Sequence, residues 1–279
     1  MQIKSYSMTD PLSKKQETIP LLVPESSEQW PGIFYFFTTR HGGVSQGAYS
    51  SLNLGTHVQD DPLAVARNRQ RLTACLGDSL RGISFLDQVH GTTTITVDSH
   101  PLPHPAEADA QICRETGILL AIMTADCAPL LFADPQARII GAAHAGWRGA
   151  LHGVSESCLQ AMCNAGASIN EIYAIIGPCI HSEFYTVDPS FYETFAEHAE
   201  KMCMDHKKFF SKQNNTGKLR FDLPGYLRER LEMYGLSKER IHDAKQCTYS
   251  RNNDFFSHRH ATQGNYAPCG RQMGGILLV

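Results

Sequence analysis

The sequence lacks the long apolar run of about 20 residues that a membrane-spanning helix needs, and its first ten residues lack the apolar core of a signal peptide. It also lacks an excess of charge of one sign, since 25 basic residues face 28 acidic ones and leave a net charge of −3. A protein that binds nucleic acid usually carries a broad basic surface, and this composition provides none. We therefore expect a cytoplasmic protein that binds neither a membrane nor nucleic acid.

The sequence also lacks the short motifs by which many metal, cofactor and disulfide frameworks are recognised. It contains no Cys-x-x-Cys and no His-Glu-x-x-His pattern, and its glycine-rich loops match neither a Walker loop nor a dinucleotide fingerprint. A multicopper oxidase needs many paired histidines, whereas His258-Arg-His260 is the only His-x-His sequence in the chain. The nine cysteines are an odd number without regular spacing, which favours free thiols in a reducing compartment.

The 279 residues are enough for one large α/β domain, and apolar runs typical of strands are mixed with well-delimited helices. They do not follow the regular strand–helix order of a barrel or a Rossmann sheet. Residues 1–30 are polar and weakly periodic, which predicts a partly ordered arm, and residues 31–279 are expected to form one domain with mixed sheets. One predicted helix has a basic side that we interpret as solvated, made of Arg67, Arg69 and Arg71.

Two apolar runs, 129–133 and 138–143, are separated by an Asp-Pro-Gln sequence at 134–136. Proline fixes its φ angle and aspartate can accept a hydrogen bond from a nearby backbone N–H, so this sequence is typical of a turn. We therefore predict a hairpin that brings Cys127 and His144 together, although they are 17 positions apart. A thiol and an imidazole held together form either part of a metal site or a nucleophile–base pair.

A third candidate ligand is His90, which follows a predicted strand and precedes a glycine. His90, Cys127 and His144 together suit zinc, with copper as the competing metal, because a thiolate and two imidazoles can bind either. Three protein ligands leave one position open, which is typical of a catalytic zinc that lowers the pKa of a bound water towards about 7. The alternative is a metal-free nucleophile, Cys127, with His144 as its base and either Asp126 or a backbone carbonyl orienting the imidazole ring. His90 separates the two hypotheses, since a Cys–His hydrolase does not require it.

Several cations and polar side chains are candidates for substrate binding. The arginines at turns beside apolar strands could bind phosphate or a carboxylate through their planar fork of donors, and they are Arg40, Arg148, Arg259 and Arg271. Polar contacts to a sugar or a purine edge could come from His41, Asn53 and His258. These residue types predict a substrate with anionic and polar groups.

Eight motifs follow one another along the chain. They are Thr38-Thr-Arg-His-Gly-Gly-Val-Ser45, Ser51-Leu-Asn-Leu-Gly55, Asp87-Gln-Val-His-Gly91, Ala108-Asp-Ala110, Thr124-Ala-Asp-Cys-Ala-Pro129, His144-Ala-Gly-Trp-Arg-Gly149, Ile176-Gly-Pro-Cys179 and Phe256-Ser-His-Arg259. In content and order they resemble the YfiH family, whose members are also called laccase-domain or multifunctional purine nucleoside proteins. The chain departs from the family pattern at His260, where an arginine is frequent, and at Cys269, where a threonine is frequent.

The resemblance implies a single α/β/β/α layered domain, similar in fold to a bacterial toxin deamidase that uses a Cys–His pair. It implies a Zn²⁺ centre at His90, Cys127 and His144. Cu²⁺ is an alternative, because an older label of the family is a copper-dependent polyphenol oxidase. It also implies phosphorolysis of adenosine, inosine, guanosine and methylthioadenosine and the hydrolytic deamination of adenosine. The partners would be purine nucleosides and phosphate, and the oligomeric state is left open, a monomer included.

The hypothesis is therefore a zinc-dependent purine nucleoside enzyme. The candidate catalytic residues are Cys127, His144, Asp109 and Asp126. In deamination one of the two carboxylates would move protons while water attacks C6 of the purine. In phosphorolysis Arg40 and Arg148 would neutralise the attacking phosphate. The alternatives are a copper-dependent polyphenol oxidase, a metal-free Cys–His hydrolase and a binding protein without enzymatic activity.

Overall fold

The longest apolar runs of the chain form the central strands of two six-stranded sheets. The computed structural model describes every residue except 26–29, 78, 99–103, 203, 214–216 and 265–267, and the side chains of 199–202. Sheet one has the strand order β1 (Gln2–Thr9), β2 (Gln16–Val23), β3 (Ile33–Thr38), β17 (Gln272–Leu278), β9 (Ile118–Thr124) and β4 (Gly82–Ser84). Sheet two has the order β16 (Ile241–Asp243), β12 (Tyr173–Ile176), β10 (Ala128–Asp134), β11 (Ile139–Ala145), β8 (Ala110–Cys113) and β6 (Thr94–Val97).

Both sheets are mixed, as the irregular order of strands and helices predicts. In sheet one the pair β4–β9 is parallel and the other neighbours are antiparallel. In sheet two the pairs β12–β16 and β6–β8 are parallel. The shorter strands form two small sheets, β5 (Leu86–Asp87) with β7 (Ala106–Glu107), and β13 (Thr186–Val187), β15 (Leu219–Phe221) and β14 (Phe210–Lys212).

The helices begin and end where the local sequence provides caps. They are α1 (Pro62–Leu76), α2 (Trp147–His152), α3 (Val154–Asn164), α4 (Pro189–Met202), α5 (Leu223–Tyr234) and α6 (His258–Gln263), with 3-10 turns at Gly47–Tyr49, His206–Phe209 and Lys238–Arg240. At the start of α1 the Asp61 carboxylate accepts a hydrogen bond from the backbone N–H of Leu63, and Gly77 ends the helix with a φ of 82°. Over the described residues, no helix combines the length and apolar character needed to cross a membrane.

The central strands are buried on both faces, and their side chains alternate between two cores. In β10, Leu130 and Phe132 belong to the core beneath the helices, whereas Leu131 and Ala133 belong to the core between the sheets. This alternation explains why the apolar run of β10 has no polar positions. A strand with two buried faces needs a layer on each side of its sheet.

Three cores separate four layers. The core between the sheets joins Ile122 of β9 to Leu131 of β10. On the outer side of sheet two, α3 and α5 contribute Leu159 and Leu227. On the outer side of sheet one, α1 contributes Leu72. The order is helix, sheet, sheet, helix, which confirms the predicted single α/β/β/α domain.

The N-terminal residues differ from the predicted partly ordered arm. β1 and β2 pair as an antiparallel hairpin, and β2 extends sheet one by pairing Leu22 with Phe37 of β3. Ile19 and Leu21 pack in the core beneath α1, while Leu22 packs between the sheets. β1 is polar and exposed over most of its length, and Pro20 interrupts the apolar residues of β2, so neither strand shows a clear strand pattern in the sequence. Sheet one therefore begins within the first 30 residues.

Candidate metal centre and its cavity

The predicted hairpin forms, and its register brings two candidate ligands together. β10 and β11 pair with Ala128 opposite Ala145 and Pro129 opposite His144. Cys127 immediately precedes β10, so it lies beside the end of β11 that carries His144. In an antiparallel pair the start of one strand is next to the end of the other, and this geometry overcomes the separation in sequence.

His90 lies beside Cys127 and His144, on a loop whose backbone is hydrogen-bonded to a single carboxylate. The backbone N–H groups of Val89, His90 and Gly91 donate to the Asp109 carboxylate at 3.1, 3.0 and 2.6 Å. His90 has a φ of 62°, a conformation that costs free energy for a residue with a side chain. The three hydrogen bonds to the buried Asp109 stabilise the loop in this conformation.

The ligand atoms of His90, Cys127 and His144 all lie within 4.8 Å of one another. Cys127 Sγ is 3.9 Å from His90 Nε2, and the two imidazole ring centres are 4.7 Å apart. Gly146 leaves room for this cluster, because a Cβ at that position would lie 2.8 Å from His90 Cδ2 and 3.1 Å from Cys127 Sγ. A thiol and two imidazoles at these separations could hold one metal ion.

Asp109 also orients the second histidine. His144 Nδ1 donates to Asp109 Oδ1 at 2.7 Å, and the carboxylate is fully buried. This hydrogen bond leaves His144 Nε2 as the nitrogen available to the cluster. Asp109 does not line the cavity beside the cluster, so the structure places it behind His144 and His90.

The electrostatics of the cluster favour a thiolate beside an imidazolium. Burial raises the pKa of the Cys127 thiol, but the charge of His144 and hydrogen bonds with His144 and His90 outweigh it and lower the pKa to about 6. Burial lowers the pKa of His144, but the charge of Cys127 and the hydrogen bond to Asp109 raise it to about 9. Burial opposes ionisation of Asp109, yet its hydrogen bond with His144 holds its pKa below the usual value. The thiolate is the form that binds metals and acts as a nucleophile, so both chemical hypotheses remain open at this point.

Asp126 anchors the turn that carries Cys127. Its Oδ1 accepts from the hydroxyl of Thr248 at 2.6 Å, and its Oδ2 accepts from the backbone N–H of Arg259 at 2.6 Å. The second contact caps α6, and the backbone oxygen of Asp126 accepts from the N–H of Ile180 at 2.9 Å. Asp126 has a φ of 90° and does not line the cavity, so its contacts position the turn.

A cavity of about 580 Å³ opens beside the cluster, and His90, Cys127 and His144 form part of its wall. Its cations are Arg69 and Arg271, and its other titratable side chains include His57, Asp87 and His258. Burial and the positive charge of Arg271 lower the pKa of both His57 and His258 below their ordinary value. The cavity therefore combines two permanent positive charges with two histidines that are neutral at pH 7.

Of the residues predicted from sequence to bind substrate, His258 and Arg271 line this cavity and Arg40 lines another. The Arg40 guanidinium donates to the backbone oxygens of Ser50 and Asn252 at 2.8 and 2.7 Å and lies 4.7 Å from the Phe256 ring centre. His41 is exposed near Asp254, with 3.6 Å between Nε2 and Oδ1. Neither Arg40 nor His41 is placed at the cluster.

The remaining predicted contacts, Asn53, Arg148 and Arg259, do not line the cavity. Asn53 is fully buried, so its predicted contact with a sugar or a purine does not fit the structure. The exposed Arg148 guanidinium lies over the Trp147 ring at 4.4 Å. Arg259 donates to the backbone oxygen of Thr186 at 2.7 Å.

The solvated interpretation of the basic side of α1 is wrong for two of its arginines. Arg71 is 4% exposed and pairs with Asp10 at 2.8 Å. Arg69 lies in the cavity wall, with its guanidinium 3.9 Å from the Phe85 ring centre. Sequence reasoning missed Arg69 because its partners come from distant segments, and no local pattern distinguishes it from a surface arginine.

The fold and the site together define a class, a four-layered α/β protein in which a Cys–His–His cluster borders a cationic cavity. A family model described as multi-copper polyphenol oxidoreductase laccase matches residues 34–279. The chain belongs to that family.

Relatives and solved structures agree with the resemblance drawn from the motifs. A purine nucleoside phosphorylase of Pseudomonas aeruginosa is 38% identical over 232 residues, which cover 82% of this chain and 89% of the relative. The purine nucleoside phosphorylase YfiH of Escherichia coli is 37% identical over 242 residues, with coverage of 86% and 93%. The crystal structure of the Bacillus licheniformis protein YfiH matches with a TM-score of 0.82 at 29% identity and covers 94% of this chain and 96% of that one. The predicted resemblance to the YfiH family is confirmed.

The substitution Asp109→Asn tests the support behind the cluster. It preserves the size of the side chain but removes the charge that orients His144, so we expect zinc affinity to fall about 10- to 100-fold. Competition with a chromophoric zinc chelator measures this change. The matched control is Asp134→Asn, because Asp134 is also a buried carboxylate that accepts backbone hydrogen bonds, at the other end of the hairpin. Equal zinc affinity in both variants would contradict the role of Asp109.

Proposed function

We propose that this chain is a zinc-dependent purine nucleoside enzyme that cleaves adenosine, inosine, guanosine and methylthioadenosine with phosphate and deaminates adenosine. The observation that carries the proposal is that a Cys–His–His cluster and two arginines line the same cavity. Relatives named purine nucleoside phosphorylase, with 38% and 37% identity over most of the chain, support the choice of substrate. The cavity is also large enough for a small-molecule ligand, since such sites typically measure about 300–1,000 Å³.

The donor set fits zinc. His90, Cys127 and His144 would hold the ion, and Gly146 keeps the space between them free of a side chain. Two imidazoles and a thiolate are common zinc ligands. When bound, zinc supplies a Lewis acid at the cavity wall and lowers the pKa of water. Asp109 fixes the ring orientation of His144 and the loop of His90, so we assign it a positioning role in place of proton transfer.

For phosphorolysis, the two cavity arginines replace Arg40 and Arg148 as the groups that bind phosphate. A phosphate oxygen attacks the anomeric carbon, and the bond from that carbon to the purine nitrogen breaks. The base leaves with the electron pair of that bond and takes up the proton that the phosphate loses. Arg69 and Arg271 bind and orient the phosphate and neutralise its charge. The neutral His57 and His258 can donate hydrogen bonds to the sugar or the base.

For deamination, water adds to C6 of adenosine and ammonia leaves, so protons must move from the water to the departing amine. The buried Asp109 and Asp126 are committed to backbone and side-chain donors. Among the described residues that line the cavity, Asp87 is the one with a carboxylate, and it is exposed to the solvent. We therefore assign proton transfer in deamination to Asp87.

A metal-free hydrolase is the second candidate, and one observation favours it. Asp109, His144 and Cys127 form a relay in which the carboxylate orients an imidazole beside a thiol of lowered pKa. That arrangement would activate Cys127 as a nucleophile. His90 would then be dispensable, which separates this candidate from the zinc enzyme.

The central test is product analysis with adenosine and inosine, with and without phosphate, on protein whose metal content is measured by mass spectrometry. We expect stoichiometric zinc, phosphate-dependent release of free base, and inosine from adenosine. His90→Ala should reduce both activities at least about 100-fold, since losing even a residue behind a metal ligand typically costs 10- to 100-fold. Full activity of His90→Ala would support the hydrolase. Stoichiometric copper with oxidation of phenols would support the family's oxidase label over the proposal.

The same assay tests the proton carrier. Asp87→Asn removes a group that can take up and release a proton, so we expect inosine formation to fall about 100- to 10,000-fold, the usual contribution of general acid–base catalysis. Release of free base with phosphate should change little, because Asp87 has no assigned part in it. Asp61→Asn is the control, since Asp61 is an exposed carboxylate that caps α1 outside the cavity. Unchanged deamination in Asp87→Asn would remove Asp87 from the mechanism.

The choice of arginines is tested by Arg271→Ala and Arg148→Ala. Loss of a charge-assisted hydrogen bond to phosphate, worth about 1.5–3 kcal/mol, should raise the KM for phosphate about 10- to 100-fold in Arg271→Ala. The KM for the nucleoside should change much less. Arg148→Ala should leave the KM for phosphate unchanged, because Arg148 lies outside the cavity. The opposite pattern would restore the assignment made from sequence.

A further inference from the structure

The two cavity arginines come from distant parts of the chain, yet both are tied to one residue. The backbone oxygen of Leu54 accepts from Nε and NH2 of Arg69 at 3.0 and 2.8 Å. The backbone N–H of Leu54 donates to the backbone oxygen of Arg271 at 3.1 Å. The residues on either side of Leu54 make further contacts with Arg271.

Asn53 fixes the backbone of Arg271 from a fully buried position. Its Oδ1 accepts from the backbone N–H of Arg271 at 2.8 Å and from the N–H of Gly55 at 3.0 Å. Its Nδ2 donates to Asp60 Oδ2 at 2.8 Å, which determines which way the amide faces. The sequence predicts Asn53 as a substrate contact, whereas these hydrogen bonds show that it fixes the backbone of Arg271.

Gly55 leaves the space that the Arg271 side chain occupies. A Cβ on Gly55 would lie 2.8 Å from Cγ of Arg271, which is closer than such atoms approach, and 3.0 Å from its Cβ, which is a tight contact. Because the contact is at the root of the arginine side chain, Arg271 could not avoid it by moving only its guanidinium. The lack of a side chain at position 55 therefore leaves room for the first atoms of the Arg271 side chain.

The arginine side chains are also held at their outer ends. Arg271 NH1 donates to the backbone oxygens of Cys269 and Gly270 at 2.8 and 3.0 Å. Arg69 rests on the Phe85 ring, with 3.9 Å between the guanidinium carbon and the ring centre. Two like charges in one cavity repel each other, and these contacts hold each arginine side chain in place before any ligand enters. Such preorganisation avoids an ordering cost when an anion binds.

We propose that residues 53–55 are a positioning segment that sets the spacing of Arg69 and Arg271, so that the pair clamps one inorganic phosphate. This inference rests on the proposed function, which makes phosphate a substrate at this cavity. None of the three residues lines the cavity. They act through the two arginines, and their substitution should change phosphate binding more than nucleoside binding.

Gly55→Ala is the direct test, because it displaces Arg271 without removing it. Isothermal titration of inorganic phosphate into the protein as purified should show affinity weakened about 10- to 100-fold, the scale expected when a charge-assisted hydrogen bond to phosphate is lost. The KM for phosphate should rise by the same factor while the KM for inosine stays within about twofold. In an Arg271→Ala background, Gly55→Ala should have little further effect, since its action passes through Arg271.

Unchanged phosphate affinity in Gly55→Ala, or an equal loss of affinity with and without Arg271, would overturn the proposal. Should Gly55→Ala fail to fold, Arg69→Lys provides the second test. It keeps the charge but loses the two-donor contact with Leu54. Phosphate affinity equal to that of the wild type would show that this anchor is not needed. Wild-type protein that binds phosphate but cleaves no nucleoside would contradict the proposed function alone, and the positioning test would still apply to phosphate binding.

Discussion

The buried carboxylate of Asp109 is the contact on which the candidate site depends. It accepts hydrogen bonds from the loop that carries His90 and from the ring of His144, while its backbone oxygen accepts from the N–H of His144 at 2.7 Å. These contacts join a loop after β5 to the end of β11. These hydrogen bonds offset the free-energy cost of the φ of 62° at His90. One carboxylate thus assembles two of the three ligands, and the β10–β11 hairpin supplies the third.

The cluster and the cations of the cavity rest on separate supports. The cluster depends on Asp109 and on the strand register, whereas the arginines depend on the segment at 53–55. A chain with a net charge of −3 can therefore present two positive charges in one cavity, because their placement is local and independent of the overall charge. The residues that could hold a metal ion and the residues that could bind an anion are therefore positioned by different parts of the chain.

The parts of the site that could be predicted from the sequence are those determined by neighbouring residues. The turn at 134–136 predicts the hairpin, and the hairpin alone brings Cys127 beside His144. His90 is a candidate ligand from sequence because it follows a predicted strand, and the resemblance of the motifs to those of the YfiH family implies the same role. The resemblance also implies the layered fold. Its physical reason is that alternate side chains of β10 are buried in two different cores, so sheet two needs a layer on each face.

Only one of the two cavity cations could be predicted in the same way, since Arg271 is a candidate from sequence and Arg69 is not. Nothing in the local sequence ranks Arg69 above Arg148 as a ligand of an anion, and only tertiary contacts place Arg69 in the cavity wall and Arg148 outside it. Asn53 has a side-chain amide of the kind that often binds a ligand, but buried hydrogen bonds within the protein occupy both its oxygen and its nitrogen. The N-terminal hairpin was missed because its buried positions are separated by polar residues and Pro20.

The most direct measurement is X-ray absorption at the zinc edge on the purified protein. If His90, Cys127 and His144 bind the ion, the spectrum should require one sulfur at about 2.3 Å and two imidazole nitrogens at about 2.0–2.1 Å. The sulfur contribution should disappear in Cys127→Ser. A zinc environment without sulfur, or with several sulfurs, would contradict the account.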